Sequence, residues 1–77
     1  MKYSEHVLQR MEKRGISKKL IEEAIKNPDE IIFGEKGRKI YHKIMNGKLL
    51  RVVVEGDVIV TAYMTSKVIK YYRGEGK

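Results

Sequence analysis

The pattern of apolar and polar positions changes period once along the chain, and the change falls at Pro28. Before it, Val7, Leu8 and Met11 recur at helical spacing and form one stripe. Ser4 stands where an N-cap belongs, with Tyr3 before it and Leu8 placed to close a hydrophobic staple. The spacing predicts a helix from about Ser4 to Arg14, ended by Gly15. Ser17 repeats the arrangement, with Ile16 and Ile21 as the staple pair, and starts a second helix that stops before Asn27-Pro28.

After Pro28 the pattern alternates and β-branched residues take over, which predicts strands. The first is short, Ile31 to Gly34. Arg38 to Met45 and Lys48 to Glu55 flank Asn46-Gly47, the dipeptide of a type I′ hairpin. Gly56-Asp57 makes a second tight turn into Val58 to Thr65. The expected fold is therefore α+β, in the order ααββββ, with two N-terminal helices packed on one face of a four-stranded antiparallel sheet. Residues 1–77 form a single domain: a helical pair over 1–27, an antiparallel meander over 28–66 and a basic aromatic tail over 67–77. The segment from Val68 onward is either one more short element or a loose end.

Two-residue turns also fix which residues oppose each other. Across Asn46-Gly47, Ile44 faces Leu49, His42 faces Arg51 and Ile40 faces Val53. Across Gly56-Asp57, the same rule sets Val53 against Val60, Arg51 against Ala62 and Leu49 against Met64. Opposed residues share a face. One face then holds Ile40, Ile44, Leu49, Val53, Val60, Ala62 and Met64, interrupted by His42 and Arg51. The other holds Tyr41, Lys43, Leu50, Val52, Val54, Ile59, Thr61 and Tyr63. The helices are expected on the first.

Composition narrows the class of protein. A chain of 77 residues is near the lower limit for a self-supporting core. It has no cysteine, which removes disulfides and thiolate metal sites and suits a reducing cytoplasm. No apolar run approaches the roughly 20 residues of a membrane span, and no signal-peptide core follows the N-terminus. The expectation is a soluble cytoplasmic protein. Asn27, Asn46 and Gln9 are its only side-chain amides, while Lys, Glu and Ile are abundant, a leaning seen in heat-adapted proteins.

The net charge of +7 is one-sided. Residues 1–35 carry seven basic and seven acidic side chains, whereas residues 36–77 carry ten basic and three acidic, so the whole excess lies in the second part. Such a field favours RNA or another polyanion as partner, because each phosphate contact releases counterions. Solubility alone is the competing explanation.

On the first helix His6, Arg10, Lys13 and Arg14 flank the apolar stripe on one side, and Glu5, Gln9 and Glu12 flank it on the other. Pairing for helix stability would interleave the signs instead. His6 and Arg14 are about 12 Å apart along the axis, so a single phosphate cannot meet both. Arg51, in the middle of a strand, needs a partner because an unpaired buried guanidinium is costly. The choices are a salt bridge to Glu5, Glu12 or Glu55, or a bound anion. A titratable imidazole beside guanidiniums is the combination that cleaves RNA without metal. That assigns His6 as general acid/base, with Arg10 and Arg51 stabilising phosphate. Arg14, His42, Lys39, Lys43, Tyr63 and Tyr71 stand in support. Two histidines without cysteines fall short of the three or four protein ligands of a zinc site, so neither metal nor cofactor is expected. The tail KYYRGEGK, residues 70–77, interleaves aromatics with cations as single-strand binders do, although edge-strand packing is the favoured account of Tyr71 and Tyr72.

These residues resemble a known family. SEHVLQRMEKRGI at Ser4 to Ile16, NPDEII at Asn27 to Ile32, LRVVV at Leu50 to Val54 and TAY at Thr61 to Tyr63 are similar to the motifs of the small bacterial and archaeal domain-of-unknown-function family 4258. The order of elements also looks like that of the RelE-type ribonuclease toxins, which cleave RNA without metal using basic residues and tyrosine, mostly from the sheet and tail. That likeness implies an RNA-cleaving or RNA-binding protein with an acidic antitoxin as partner and no membrane association. The competing expectation is a non-enzymatic module that binds nucleic acid or an acidic protein through the hairpin and tail, in a way that depends on Lys36, Lys39, Lys43 and Lys48 but not on His6.

Overall fold

The computed structural model of the chain describes residues 1–74, so the last three positions of the predicted tail lie outside the described residues. Strand β1 (Lys2–Tyr3) leads into helix α1 (Glu5–Arg14). The Ser4 hydroxyl accepts the Val7 N–H at 3.1 Å and so caps the helix. Gly15, at φ 67°, ends it in the left-handed conformation that lets the Ile16 N–H return to the Met11 carbonyl. Ser17 caps α2 (Lys18–Lys26) in the same way, through the Leu20 N–H at 3.2 Å. Both predicted helices and their caps are present.

Strands β2 (Glu30–Phe33), β3 (Arg38–Met45), β4 (Lys48–Glu55) and β5 (Val58–Thr65) follow, and a single turn of helix, α3 (Val68–Tyr71), ends the described chain. Asn46 and Gly47 both have positive φ, as a type I′ turn requires, and the β3–β4 pairs are the expected ones. The fold is α+β with one sheet in the order β1-β5-β4-β3-β2.

Three expectations are corrected. The sheet has five strands and is mixed, because Lys2 and Tyr3 pair in parallel with Val58 and Ile59. In the sequence these two residues stand only as the run-up to the Ser4 cap, too few for an alternating pattern to mark a strand. Next, a bulge interrupts β4–β5: Val54 still opposes Ile59, but Val53 opposes Thr61, and Val60 is the extra residue. Arg51 therefore faces Tyr63 rather than Ala62, and Leu49 faces Thr65 rather than Met64.

The bulge also decides the third point, the face the helices cover. By inverting the parity of β5 beyond Val60, it places Ala62 and Met64 with Tyr41, Leu50, Val52, Val54 and Ile59. That face becomes the apolar one, and Val7, Met11, Ile16, Ile21 and Ala24 of the helical layer pack on it. The expected face, with Ile40, His42, Ile44, Leu49, Arg51 and Val53, is the opposite one. Its central polar residues are met by the C-terminal segment. No helix among the described residues is long and apolar enough to cross a membrane.

Candidate functional site

Register alone lines up four polar residues across the sheet. Glu30 opposes His42, His42 opposes Arg51 and Arg51 opposes Tyr63, one from each of β2, β3, β4 and β5. Because opposed residues share a face, all four stand on the side away from α1 and α2. The hydrogen bonds run through the whole row. Arg51 Nε donates to His42 Nε2 at 3.0 Å, Arg51 Nη1 donates to the Tyr63 hydroxyl, and His42 Nδ1 meets Glu30 Oε2 at 2.6 Å.

The chemistry fixes the proton positions. A guanidinium only donates, so His42 Nε2 must be the acceptor. The imidazole is then neutral with its hydrogen on Nδ1, donated to the Glu30 carboxylate. Both groups are buried, Glu30 at 5% and His42 at 0% exposure. Burial pushes the His42 pKa below its ordinary value. The bond to Glu30 opposes that shift, and the Arg51 charge adds to it. Burial alone would raise Glu30, but the Arg73 N–H, the imidazole and the Gly74 N–H outweigh it and hold the carboxyl below its usual range. Glu30 is thus an anion that orients His42, and His42 in turn orients Arg51.

Above this row lies the C-terminal segment. The Tyr71 ring centroid sits 4.1 Å from the Arg51 guanidinium, and the Tyr72 ring is 6.3 Å from His42. The backbone N–H groups of Arg73 and Gly74 donate to the two Glu30 oxygens at 3.0 and 2.8 Å. From the other side, the last turn of α1 brings in Arg14. β1 pairs only with Val58 and Ile59 of β5, and beyond them Arg14 Nη1 donates to the Ala62 carbonyl at 3.0 Å. Its guanidinium lies 6.0 Å from the Tyr63 ring, which Arg51 approaches at 5.5 Å.

The fold therefore gathers Arg14, His42, Arg51, Tyr63 and Tyr71 of the predicted residues. His6 and Arg10 remain exposed on α1, and their side chains form no hydrogen bond with the described residues. Lys43 donates to the Asn27 carbonyl at 2.8 Å, at the end of α2, and Lys39 lies over the Phe33 ring. Among the described residues Arg51 forms no salt bridge to Glu5, Glu12 or Glu55, and Glu55 pairs with Arg38 instead. Sequence reading missed Glu30. Its signal was a chemical demand: a mid-strand histidine and arginine side by side call for a carboxylate, and Glu30 heads the strand next to them. Among the described residues no three His, Asp or Glu side chains form a metal-binding group.

A family model described as Domain of unknown function (DUF4258) matches residues 3–64. The chain belongs to that family. The matched span contains Arg14 and the whole row from Glu30 to Tyr63, while Tyr71 to Gly74 lie beyond it. No curated protein and no solved structure matches the chain.

Proposed function

We propose that this DUF4258 chain binds RNA through its phosphate backbone, with Arg51 and Arg14 as the contacting cations, and that it is a cytoplasmic protein of the RelE-like toxin type with an acidic protein partner. One observation carries the reading: Arg51 is oriented by two fixed acceptors, His42 and Tyr63, and the described hydrogen bonds leave its Nη2 end uncommitted. A guanidinium held in this manner is pre-organised for a phosphate, which takes such an edge with two oxygens. Charge supports the same reading. Three arginines, Arg14, Arg51 and Arg73, lie along the row, whose one carboxylate, Glu30, stands at the end away from Arg14. The sign of the local field matches that of the basic half of the chain.

His6 and Arg10 lie on α1 at four-residue steps before Arg14, so they extend the cationic track rather than join the row. Cleavage without metal is a second reading, favoured by Tyr63. Its hydroxyl oxygen accepts from a cation, which leaves its own proton to be donated to a leaving oxygen.

The decisive measurement is fluorescence anisotropy of a labelled single-stranded RNA. Arg51→Lys keeps the charge and loses the planar fork, so affinity is expected to fall about 10- to 100-fold, the worth of one or two charge-assisted hydrogen bonds. Arg14→Ala is expected to lower the salt slope by about 0.7, one phosphate contact on a single strand. Unchanged affinity and slope in both variants, with folding verified by circular dichroism, refute the proposal.

A further inference from the structure

The C-terminal segment makes its described polar and aromatic attachments to the row that the proposed function assigns to RNA. Tyr71 covers the Arg51 guanidinium, Tyr72 tilts against His42, and the Arg73 and Gly74 N–H groups occupy the Glu30 carboxylate. α3 itself adds little to holding the segment down. α3 is one turn long, has no side-chain cap and turns Ile69 out at 98% exposure. An isolated single turn is below the length at which a helix sustains itself. Such segments come from the low end of the local stability scale.

We propose that residues 68–74 are a latch that occupies the RNA site in the free protein and is displaced when single-stranded RNA binds. The inference rests on the RNA reading of the Arg51 row. The segment imitates the ligand it excludes: the Tyr71 ring stands over the guanidinium where a nucleobase stacks, since both present a π-face to the cation. Glu30 supplies the closing force. Without RNA its carboxylate takes the two backbone N–H groups, and once they leave, only the described bond from His42 remains to it. Opening also uncovers His42, whose side chain has no exposure while the latch is closed.

The test keeps the full chain, so Lys70, Arg73 and Lys77 still contribute their charge. Gly74→Pro removes one N–H donor and cannot adopt the native φ of 71°, and Tyr71→Ser removes the ring over Arg51. Amide hydrogen exchange at Arg73 and Gly74 and susceptibility to trypsin at Lys70 and Arg73 report release of the latch without reference to RNA. Both variants are expected to show release and to bind the labelled RNA about tenfold more tightly. Apparent affinity scales with the fraction of molecules in the open state. In the wild type, added RNA is expected to speed exchange at the Arg73 and Gly74 amides.

If RNA binds the wild type and the released variants bind equally or more weakly, the latch is refuted while the RNA reading stands. Tyr71 would then belong to the binding surface if only Tyr71→Ser weakened it. Protection of the two amides that holds or grows on adding RNA refutes the latch as well. If neither wild type nor variants bind RNA, the RNA reading fails and the competition fails with it, even where exchange shows that the segment opens.

Discussion

Replacing Glu30 by glutamine keeps the shape of the residue that anchors the polar row and removes its charge. Glu30 accepts from His42 Nδ1 at 2.6 Å and from the Arg73 and Gly74 N–H groups at 3.0 and 2.8 Å. Hydrogen bonds to a charged acceptor are worth about 1.5–3 kcal/mol and neutral ones about 0.5–1.5, so each surviving bond weakens by about 1 kcal/mol. The amide also has only one oxygen for three donors. At least one partly buried donor then faces its NH2 group, at a cost of about 1–3 kcal/mol. Relief of the carboxylate's desolvation offsets part of this, which leaves a net loss of about 2–4 kcal/mol. A chain of this length has a total stability of roughly 4–12 kcal/mol, so the variant should unfold at visibly lower urea. Far-UV circular dichroism and tyrosine fluorescence are the natural probes, the chain having five tyrosines and no tryptophan. The double variant Glu30→Gln/His42→Gln should recover a coupling of about 0.5–3 kcal/mol. A stability change under about 0.5 kcal/mol, with additive behaviour of the two substitutions, would show that the row is not held by its carboxylate.

Acid should act on the same pair. His42 is held below its ordinary value of 6.5, so the unfolded chain takes up its proton first and stability falls as pH drops below about 6.5. Glu30 is held below 4.5, so its contribution is present above that pH and is lost as pH falls through its folded value. Urea midpoints measured from pH 8 to 4 should therefore decline monotonically, and His42→Gln should flatten the upper part of the decline. In the cleavage reading, Tyr63→Phe lowers the metal-independent rate by roughly 10²–10⁴ at nearly unchanged RNA affinity. His6→Ala does the same if the acid/base role belongs to the helix, so gel assays in chelator on both variants decide between the two, and a wild-type chain that leaves RNA intact removes the reading.

Local chemistry made most of the fold legible. Ser4 and Ser17 as caps, Gly15 as a helix end and Asn46-Gly47 as a type I′ turn each act through bonds within a few residues, and each is present where expected. The His42–Arg51 pairing followed directly from that turn. Glu30 and Tyr71 were harder to place because they reach the site through long-range geometry. The first depends on how β2 joins the edge of the sheet, and the second on where a tail folds back. The assignment of His6 came from sequence proximity to arginines on one helix. Of that stripe, Arg14 at its far end reaches the sheet edge and the Tyr63 ring.

The bulge at Val60 shows why one residue can redirect a whole functional reading. In a strand, side chains alternate strictly, so a single extra residue exchanges the faces of everything after it. Before the bulge, Ile59 is buried against the helices, and after it Ala62 is buried there and Met64 partly buried. The interval of three and then two is incompatible with an uninterrupted strand whose one face is apolar. That interval stands in the sequence Ile59-Val60-Thr61-Ala62-Tyr63-Met64, masked by the β-branched residues at its start. Without the extra residue, Tyr63 would lie in the layer under α1 with its hydroxyl buried away from Arg51, and Ala62 would stand opposite the guanidinium with nothing to offer it. The same insertion thus completes the apolar face and supplies the hydroxyl that fixes Arg51, so the core and the candidate site depend on one irregularity.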